Sequence, residues 1–394
     1  MSVPERIKRG IASGSLVRRM FDEGIVFKNQ YGAENVFDLS LGNPIMEPPS
    51  EFNNELLKLA ESRTPGLHRY MENAGYPETR EAVAANITAE TSVNFTQKDI
   101  VMTCGAAAAL NVVLRTILNC GDEVILFAPF FAEYVHYIAN HDGVAKIVLT
   151  DKHFMPDIDL LEEAINSRTR AVIINSPNNP SGVVYGESTL HNIAELLKQK
   201  QKQYCTQIIL ISDEAYSRIL FDGLKYQPVW KHYPESIVVT SYSKDLALPG
   251  ERIGYIAIHP ECTDKDELIN GFIFCNRTLG FVNAPALMQR IVAKLQGVSV
   301  SAAEYQKKRD LMYDNMMMMG YSVVKPNGAF YLFPKALQED DFSFVRLLQQ
   351  EHVLTVPGIG FGTPGYFRIA YCVDDRTLEG ALVGFRKIAD RFNK

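Results

Sequence analysis

Seven short runs in the middle of the chain, at residues 100–104, 123–128, 145–150, 170–175, 207–212, 236–240 and 252–258, are apolar almost without interruption. Strands with one wet face alternate apolar and polar positions, whereas strands covered on both faces read as continuous apolar runs. These seven read as the covered kind. Stretches with helical periodicity, such as 107–118 and 187–201, fall between several of them, and that alternation predicts a layered α/β domain around a largely parallel sheet. Asp159, with Glu162 three residues on and Leu160, Leu161 and Ile165 around them, reads as a capping box opening a helix. After Pro285 the pattern changes to one long helical stretch through about Met319, followed by shorter strand-like runs at 329–333 and 367–371 flanked by helices. This predicts a second, smaller domain. The run Met316 to Met319 reads as adaptable packing at a helix end.

Composition narrows the class. The chain has 394 residues, 46% hydrophobic and 22% charged, which suits a soluble globular protein with a sizeable core and two domains. A net charge of −6, with no block of five like charges, leaves no electrostatic case for nucleic acid or an anionic membrane. The first ten residues hold Glu5, Arg6, Lys8 and Arg9 with no apolar run behind them, and no later stretch is long and apolar enough to span a bilayer. A cytoplasmic protein is expected. The six cysteines, at 104, 120, 205, 262, 275 and 372, lack any Cys-x-x-Cys spacing. They read as reduced, mostly core thiols, with neither a metal site nor a disulfide framework.

Polar, Gly- and Pro-containing segments sit just after the predicted strands: Gly105-Ala106-Ala107, Pro177 to Pro180, Asp213 to Tyr216 and Ser241 to Lys244. Ligands of open α/β sheets bind outside the carboxyl ends of the strands, so these segments converge on one edge. In the last of them an amine, Lys244, lies eight positions before a guanidinium, Arg252, between two strand-like runs. An amine condenses with an aldehyde, and an arginine fork with nearby serine hydroxyls, Ser241 and Ser243, holds a phosphate dianion. Asp213 ends an apolar strand, where a carboxylate can pair with a protonated ring nitrogen. Read alone, it is equally a strand-end turn acid. Gly360 to Gly365 satisfies G-x-G-x-x-G, but a proline and a β-rich run follow where that fingerprint needs a helix. It reads as a loop beside Arg368.

With Ser241-x-Ser243-Lys244, then Gly250-x-Arg252-x-Gly254, with Asp213-x-x-Tyr216 and Asn179-Pro180 in the same order, the chain resembles the class I/II aminotransferases, the fold-type I pyridoxal-phosphate enzymes, from about Asp38 through Arg376. The family's Asn-Pro-x-Asn-Pro-Thr-Gly has Ser176 in place of its first Asn and Ser181 in place of its Thr. The resemblance implies a three-layer α/β/α large domain with a mostly parallel seven-stranded sheet, over 49–290, and a smaller α/β domain from 1–48 and 291–394. It implies pyridoxal 5′-phosphate as cofactor, with Lys244 as the Schiff-base lysine, Asp213 at the ring nitrogen, and Tyr216 and Asn179 at the phenolic oxygen. Gly105, Ala106, Ala107, Ser241, Ser243 and Arg252 would hold the phosphate, and Phe131 would lie on the ring. Tyr70 would reach the phosphate from the other subunit of a homodimer. Arg368 and Asn179 would clamp the substrate α-carboxylate, with backbone contacts from Gly42, and Asn179-Pro180 would be cis.

The activity so implied is ping-pong transfer of an amino group from an amino acid to a 2-oxo acid such as 2-oxoglutarate. A carbon-sulfur β-lyase on the same fold is the alternative, because Lys244, Asp213 and Arg368 would serve both chemistries. A non-catalytic, cofactor-binding sensor is a third reading, against which stands the lack of an extra DNA-binding domain. Where one subgroup specific for acidic substrates has a lysine in the helix-opening segment, the matching place here is Ala107, which weakens an aspartate-specific reading.

Overall fold

The computed structural model describes residues 3–12 and 16–392. Its first strand, β1 (Phe37–Asp38), lies apart from the central sheet. That sheet holds seven strands, β2 (Ile100–Thr103), β3 (Glu123–Ala128), β4 (Val144–Leu149), β5 (Thr169–Asn175), β6 (Ile209–Asp213), β7 (Ser236–Ser241) and β8 (Gly254–Ile258), in the order β2-β8-β7-β6-β5-β3-β4. Only β8 runs against its neighbours; the other pairings are parallel. All seven predicted runs are therefore strands of one mostly parallel sheet.

The reason is visible in the side chains. Successive residues of a strand point to opposite faces, and here both faces are dry. Ile125, Val172 and Leu210 pack into one hydrophobic cluster, while their neighbours Val124, Ile173 and Ile211 pack into another on the opposite face. Helices Ala106–Ile117 and Lys265–Thr278 cover the second cluster through residues such as Val112, Val113 and Phe272. Helices Pro77–Thr91 and Glu187–Tyr204 cover the first through Val83, Ile87, Ile193 and Leu197. Three layers result.

The remainder forms a second α/β layer. β9 (Tyr331–Leu332), β11 (Val356–Pro357) and β12 (Phe367–Ala370) make an antiparallel sheet in the order β11-β12-β9, and β10 (Val353–Leu354) pairs in parallel with β1. The rings of Tyr321, Phe344, Phe367 and Phe385 meet in its core. Phe37 fixes this pairing from the N-terminal side, for a side chain on Gly380 would collide with its ring.

Several expectations are corrected. The helix opening near residue 159 starts at Ile158, and its cap is Asp157, whose carboxylate accepts from Leu160 N; Asp159 already lies in the first turn. The helical stretch after Pro285 is two helices, Ala286–Val292 and Ala302–Met318, parted by a turn in which Gly297 takes φ +81°. Met316 and Met319 are buried, whereas Met317 and Met318 face solvent. All six cysteines are free, but only Cys262, Cys275 and Cys372 are buried; Cys120 and Cys205 are exposed. One expectation holds: the segment 360–365, whose first two residues close a 3₁₀ turn, Gly358–Phe361, leads into β12 rather than into a helix.

Candidate active site

At the carboxyl edge of the sheet, Asp213 closes β6 and its Oδ2 accepts from Tyr134 Oη at 2.6 Å. Burial pushes its carboxyl up to about 6, with the Tyr134 hydroxyl and the Ala215 N–H opposing. Asn175, the last residue of β5, donates to Asp213 O at 2.9 Å and accepts Asn179 N at 2.7 Å. That one amide ties the following turn to the next strand. The turn carries cis Asn179-Pro180, as the resemblance implied, and cis Ser176-Pro177 as well.

Lys244 stands in the single helical turn Tyr242–Asp245 that ends β7. Its Nζ donates to Gly42 O at 2.7 Å. Burial lowers the amine to about 8; Cys372 opposes the shift, and the charges of Arg368 and Arg252 add to it. Gly42 is needed where it is, because a Cβ there would fall 2.0 Å from Tyr331 Oη. The Tyr331 hydroxyl also meets that of Tyr216 at 2.9 Å.

Arg252 precedes β8, and since β8 is antiparallel its start lies on the same edge, Gly254 opposite both Thr103 and Ser241. Its Nη1 donates to Pro249 O at 2.9 Å. Gly105, at φ +84°, lets the guanidinium approach; a Cβ there would stand 3.0 Å from Arg252 Nη2. Helix Ala106–Ile117 begins at this point with no acid in its first turn. A guanidinium, a helix N-terminus and the hydroxyls of Ser241 and Ser243 thus share one corner.

Arg368, in β12, is 2% exposed. Its Nη1 donates to Asn179 Oδ1 at 3.0 Å and its Nη2 to Ser40 O at 2.5 Å, while Nε has no partner among the described residues. The rings of Tyr331 and Phe361 face it at 4.8 and 4.9 Å. No carboxylate among the described residues lies within ion-pairing distance of it. A buried cation so placed is costly unless an anion joins it.

Apart from Gly105 and Tyr70, every site residue singled out from the sequence lines one cavity of about 290 Å³, in which Asp213 is the sole acid among the described residues. Gly105 abuts it through Arg252. Tyr70 does not reach it: this side chain is 88% exposed and sits in a separate groove with Asn283 and Ala284. Four residues escaped the sequence reading. Tyr134 and Tyr331 looked like ordinary core aromatics, and Cys372 like one more core thiol. Asn175 did carry a signal, as a polar residue closing an apolar run just before Ser176-Pro177.

The chain matches the family model described as aminotransferase class I and II over residues 34–385. It is 31% identical to a protein of Methanocaldococcus jannaschii named probable aspartate aminotransferase, over 88% of this chain and 91% of that one. It is 30% identical to aromatic-amino-acid aminotransferase 2 of Thermococcus litoralis, over 98% of each. The crystal structure of an amino transferase from Eubacterium rectale superimposes with a TM-score of 0.96 at 40% identity and covers all of both chains.

Proposed function

The chain belongs to the class I and II aminotransferase family and is an aminotransferase, and from that premise we propose that it works with pyridoxal 5′-phosphate held at Lys244, passing an amino group from an amino acid to a 2-oxo acid. The observation that carries the reading is Lys244 itself, a buried amine brought down to about 8 in the same cavity as a buried guanidinium that no carboxylate among the described residues neutralises.

The residues fit the cofactor. The corner made by Arg252, Ser241, Ser243 and the opening of helix Ala106–Ile117, whose first turn carries no acid, suits a phosphate dianion. Asp213 suits a protonated ring nitrogen, whose charge would draw its carboxyl back down. Tyr216 and Asn179 suit the phenolic oxygen, and Phe131 the face of the ring. When bound, this cofactor supplies an aldehyde carbon that amines exchange on and a ring that withdraws electrons from the carbon losing its proton.

The chain's own groups do the rest. Lys244, neutral in a large fraction of molecules near pH 8, would take the proton from the amino acid Cα and return it two atoms away, to the carbon that the cofactor's aldehyde supplied. Arg368, backed by Asn179 Oδ1 and by the Tyr331 and Phe361 rings, receives the α-carboxylate and so sets which Cα bond faces the amine. Gly42 O holds Nζ on the cavity side. The acceptor we propose is 2-oxoglutarate, since the aspartate in the name of the M. jannaschii relative is likewise a dicarboxylate.

Tyr70, exposed and remote from its own cavity, suits a homodimer in which it completes the partner's phosphate site. We take 49–290 as the large domain and 1–48 with 291–394 as the small one, supported by the pairing of β1 with β10; residues 1, 2, 13–15, 393 and 394 of these bounds lie outside the described residues. Among the described residues no helix is long and apolar enough to cross a membrane, and a cytoplasmic place is our reading.

The test is spectroscopic. The purified protein, loaded with cofactor, is given the twenty amino acids one at a time without acceptor. Conversion of the yellow form to the amine form by some of them, reversed by 2-oxoglutarate, is the expected result. Release of pyruvate without that conversion would make it a lyase.

A further inference from the structure

Behind the strand end that carries Ser241 lies a second cavity of about 330 Å³, and Ser241 lines both. Chain alternation builds it. Asp213 faces the first cavity and its neighbour Glu214 the second, while Asp245 follows Lys244 into the second. At the mouth stand Glu90, whose side chain is 50% exposed, and the exposed Gly297 and Ser299. Arg218 is the only cation lining this cavity among the described residues; it pairs with Glu90 at 2.5 Å and lies 3.9 Å from Asp245 Oδ2. Glu90 and Asp245 thus share one guanidinium, and Glu214 lines the same cavity without an ion pair to it.

Glu214 is 8% exposed, and although the Tyr226 and Ser212 hydroxyls bear on its carboxyl, Oε1 has no hydrogen-bond partner among the described residues. Such an oxygen is expensive to leave unpaired. The hydroxyl of Tyr242 is taken by Gln296 at 2.9 Å, while Tyr226 and Tyr255 line the same cavity. Among the described residues no three His, Cys, Asp or Glu side chains come together as a metal cage, and a divalent ion ordinarily asks for several carboxylates. One carboxylate oxygen among neutral hydroxyls suits a single charge.

We propose that this cavity binds a small monovalent cation, sodium, potassium or ammonium, at Glu214 Oε1, with the Tyr226 and Tyr255 hydroxyls as further oxygen ligands and Glu90 and Asp245 supplying the negative field. The site has an open mouth. Burial holds Glu214 and Asp245 each up to about 7, so near neutrality a proton and a cation compete there. Bound charge would sit on the far side of Asp213, whose own charge bears on the Glu214 carboxyl, and would favour the ionised form of Asp213.

The experiment compares the thermal midpoint of the holoenzyme in sodium, potassium and ammonium chloride with that in tetraethylammonium chloride at equal ionic strength. A saturable rise of several degrees with one or more small cations, absent in Glu214→Gln, is expected. Should that variant not fold, Tyr226→Phe serves instead, with a weakened half-saturation. Crystals soaked in thallium(I) acetate give the direct reading: an anomalous peak within coordination distance of Glu214 Oε1 supports the site. Midpoints that do not distinguish the salts, or only water beside Glu214, would overturn it. None of these readouts depends on turnover, so the proposal fails or stands apart from the assignment of the reaction.

Discussion

The hydroxyls of Tyr216 and Tyr331 meet at 2.9 Å across a gap of 115 residues, joining the segment after β6 to β9 of the second sheet. Tyr331 also lies 4.8 Å below the Arg368 guanidinium and leaves no room for a side chain at residue 42. One phenol therefore spaces the expected cofactor tyrosine, the carboxylate clamp and the backbone that holds Lys244. Burial, and then Tyr331 itself, push the Tyr216 hydroxyl well above its ordinary range, so it stays a proton donor.

Tyr331→Phe removes that bridge and should cost about 1 kcal/mol of stability, with roughly a tenfold loss of kcat/KM. Gly42→Ala should cost more, because its Cβ would overlap Tyr331 Oη. Combining the two relieves part of the overlap, so a double-mutant cycle in urea should show coupling. Strictly additive effects would contradict the contact.

Lys244 fixes a pH dependence. Its folded pKa, about 8, lies below the ordinary 10.5, so between those values the unfolded chain holds a proton that the folded apo chain does not. Stability then rises with pH across that window, and the amine is a burden below it. At about 1.4 kcal/mol per pKa unit, Lys244→Met should stabilise the cofactor-free protein at pH 7 by on the order of 3 kcal/mol. Urea titrations from pH 7 to 10.5 check this: the gap between wild type and variant should close as the pH rises, and parallel curves would refute it.

Lys244→Ala should lower transamination by at least about 10³-fold, in keeping with the loss of a positioned general base and nucleophile. Cofactor should still bind, held without a covalent link and removable by dialysis. Turnover at the wild-type rate would end the assignment.

Arg368→Gln should act in opposite directions on stability and catalysis. It deletes a buried cation with no carboxylate partner among the described residues, so the ligand-free protein should melt no lower than wild type. Loss of the clamp should cost about 100-fold or more in kcat/KM. Arg368→Lys keeps the charge without the fork and should recover only a small part. Wild-type kcat/KM in either variant would remove Arg368 from the site.

Tyr134→Phe takes away the hydroxyl that Asp213 accepts at 2.6 Å and that opposes its upward shift. The carboxyl should rise above about 6, and cofactor affinity at neutral pH should weaken by about tenfold, roughly 1.4 kcal/mol. Fluorescence titration of the apo protein measures it, and an unchanged Kd would show that the bond is idle.

The seven strands were legible because a run such as Glu123–Ala128, with all six residues buried, must be covered on both faces and cannot be an amphipathic helix or a half-wet strand. The polar segments after those runs were legible as one site because parallel strands bring their carboxyl ends to one edge. The chain's motifs therefore determined the sheet, its layers and most of the cavity lining. Tertiary structure alone decided the rest. Lys244 finds Gly42 at 202 residues' distance, Arg368 finds Asn179 at 189 and Tyr134 finds Asp213 at 79. A tyrosine in an apolar run gives no sign of which distant polar group it will meet, since its ring alone accounts for its burial. The second cavity was hidden for a related reason. Glu214 and Asp245 read as neighbours of Asp213 and Lys244 along the chain, and only the turns that leave the strand ends and the packing of helix Pro77–Thr91 beside them bring both to a separate cavity.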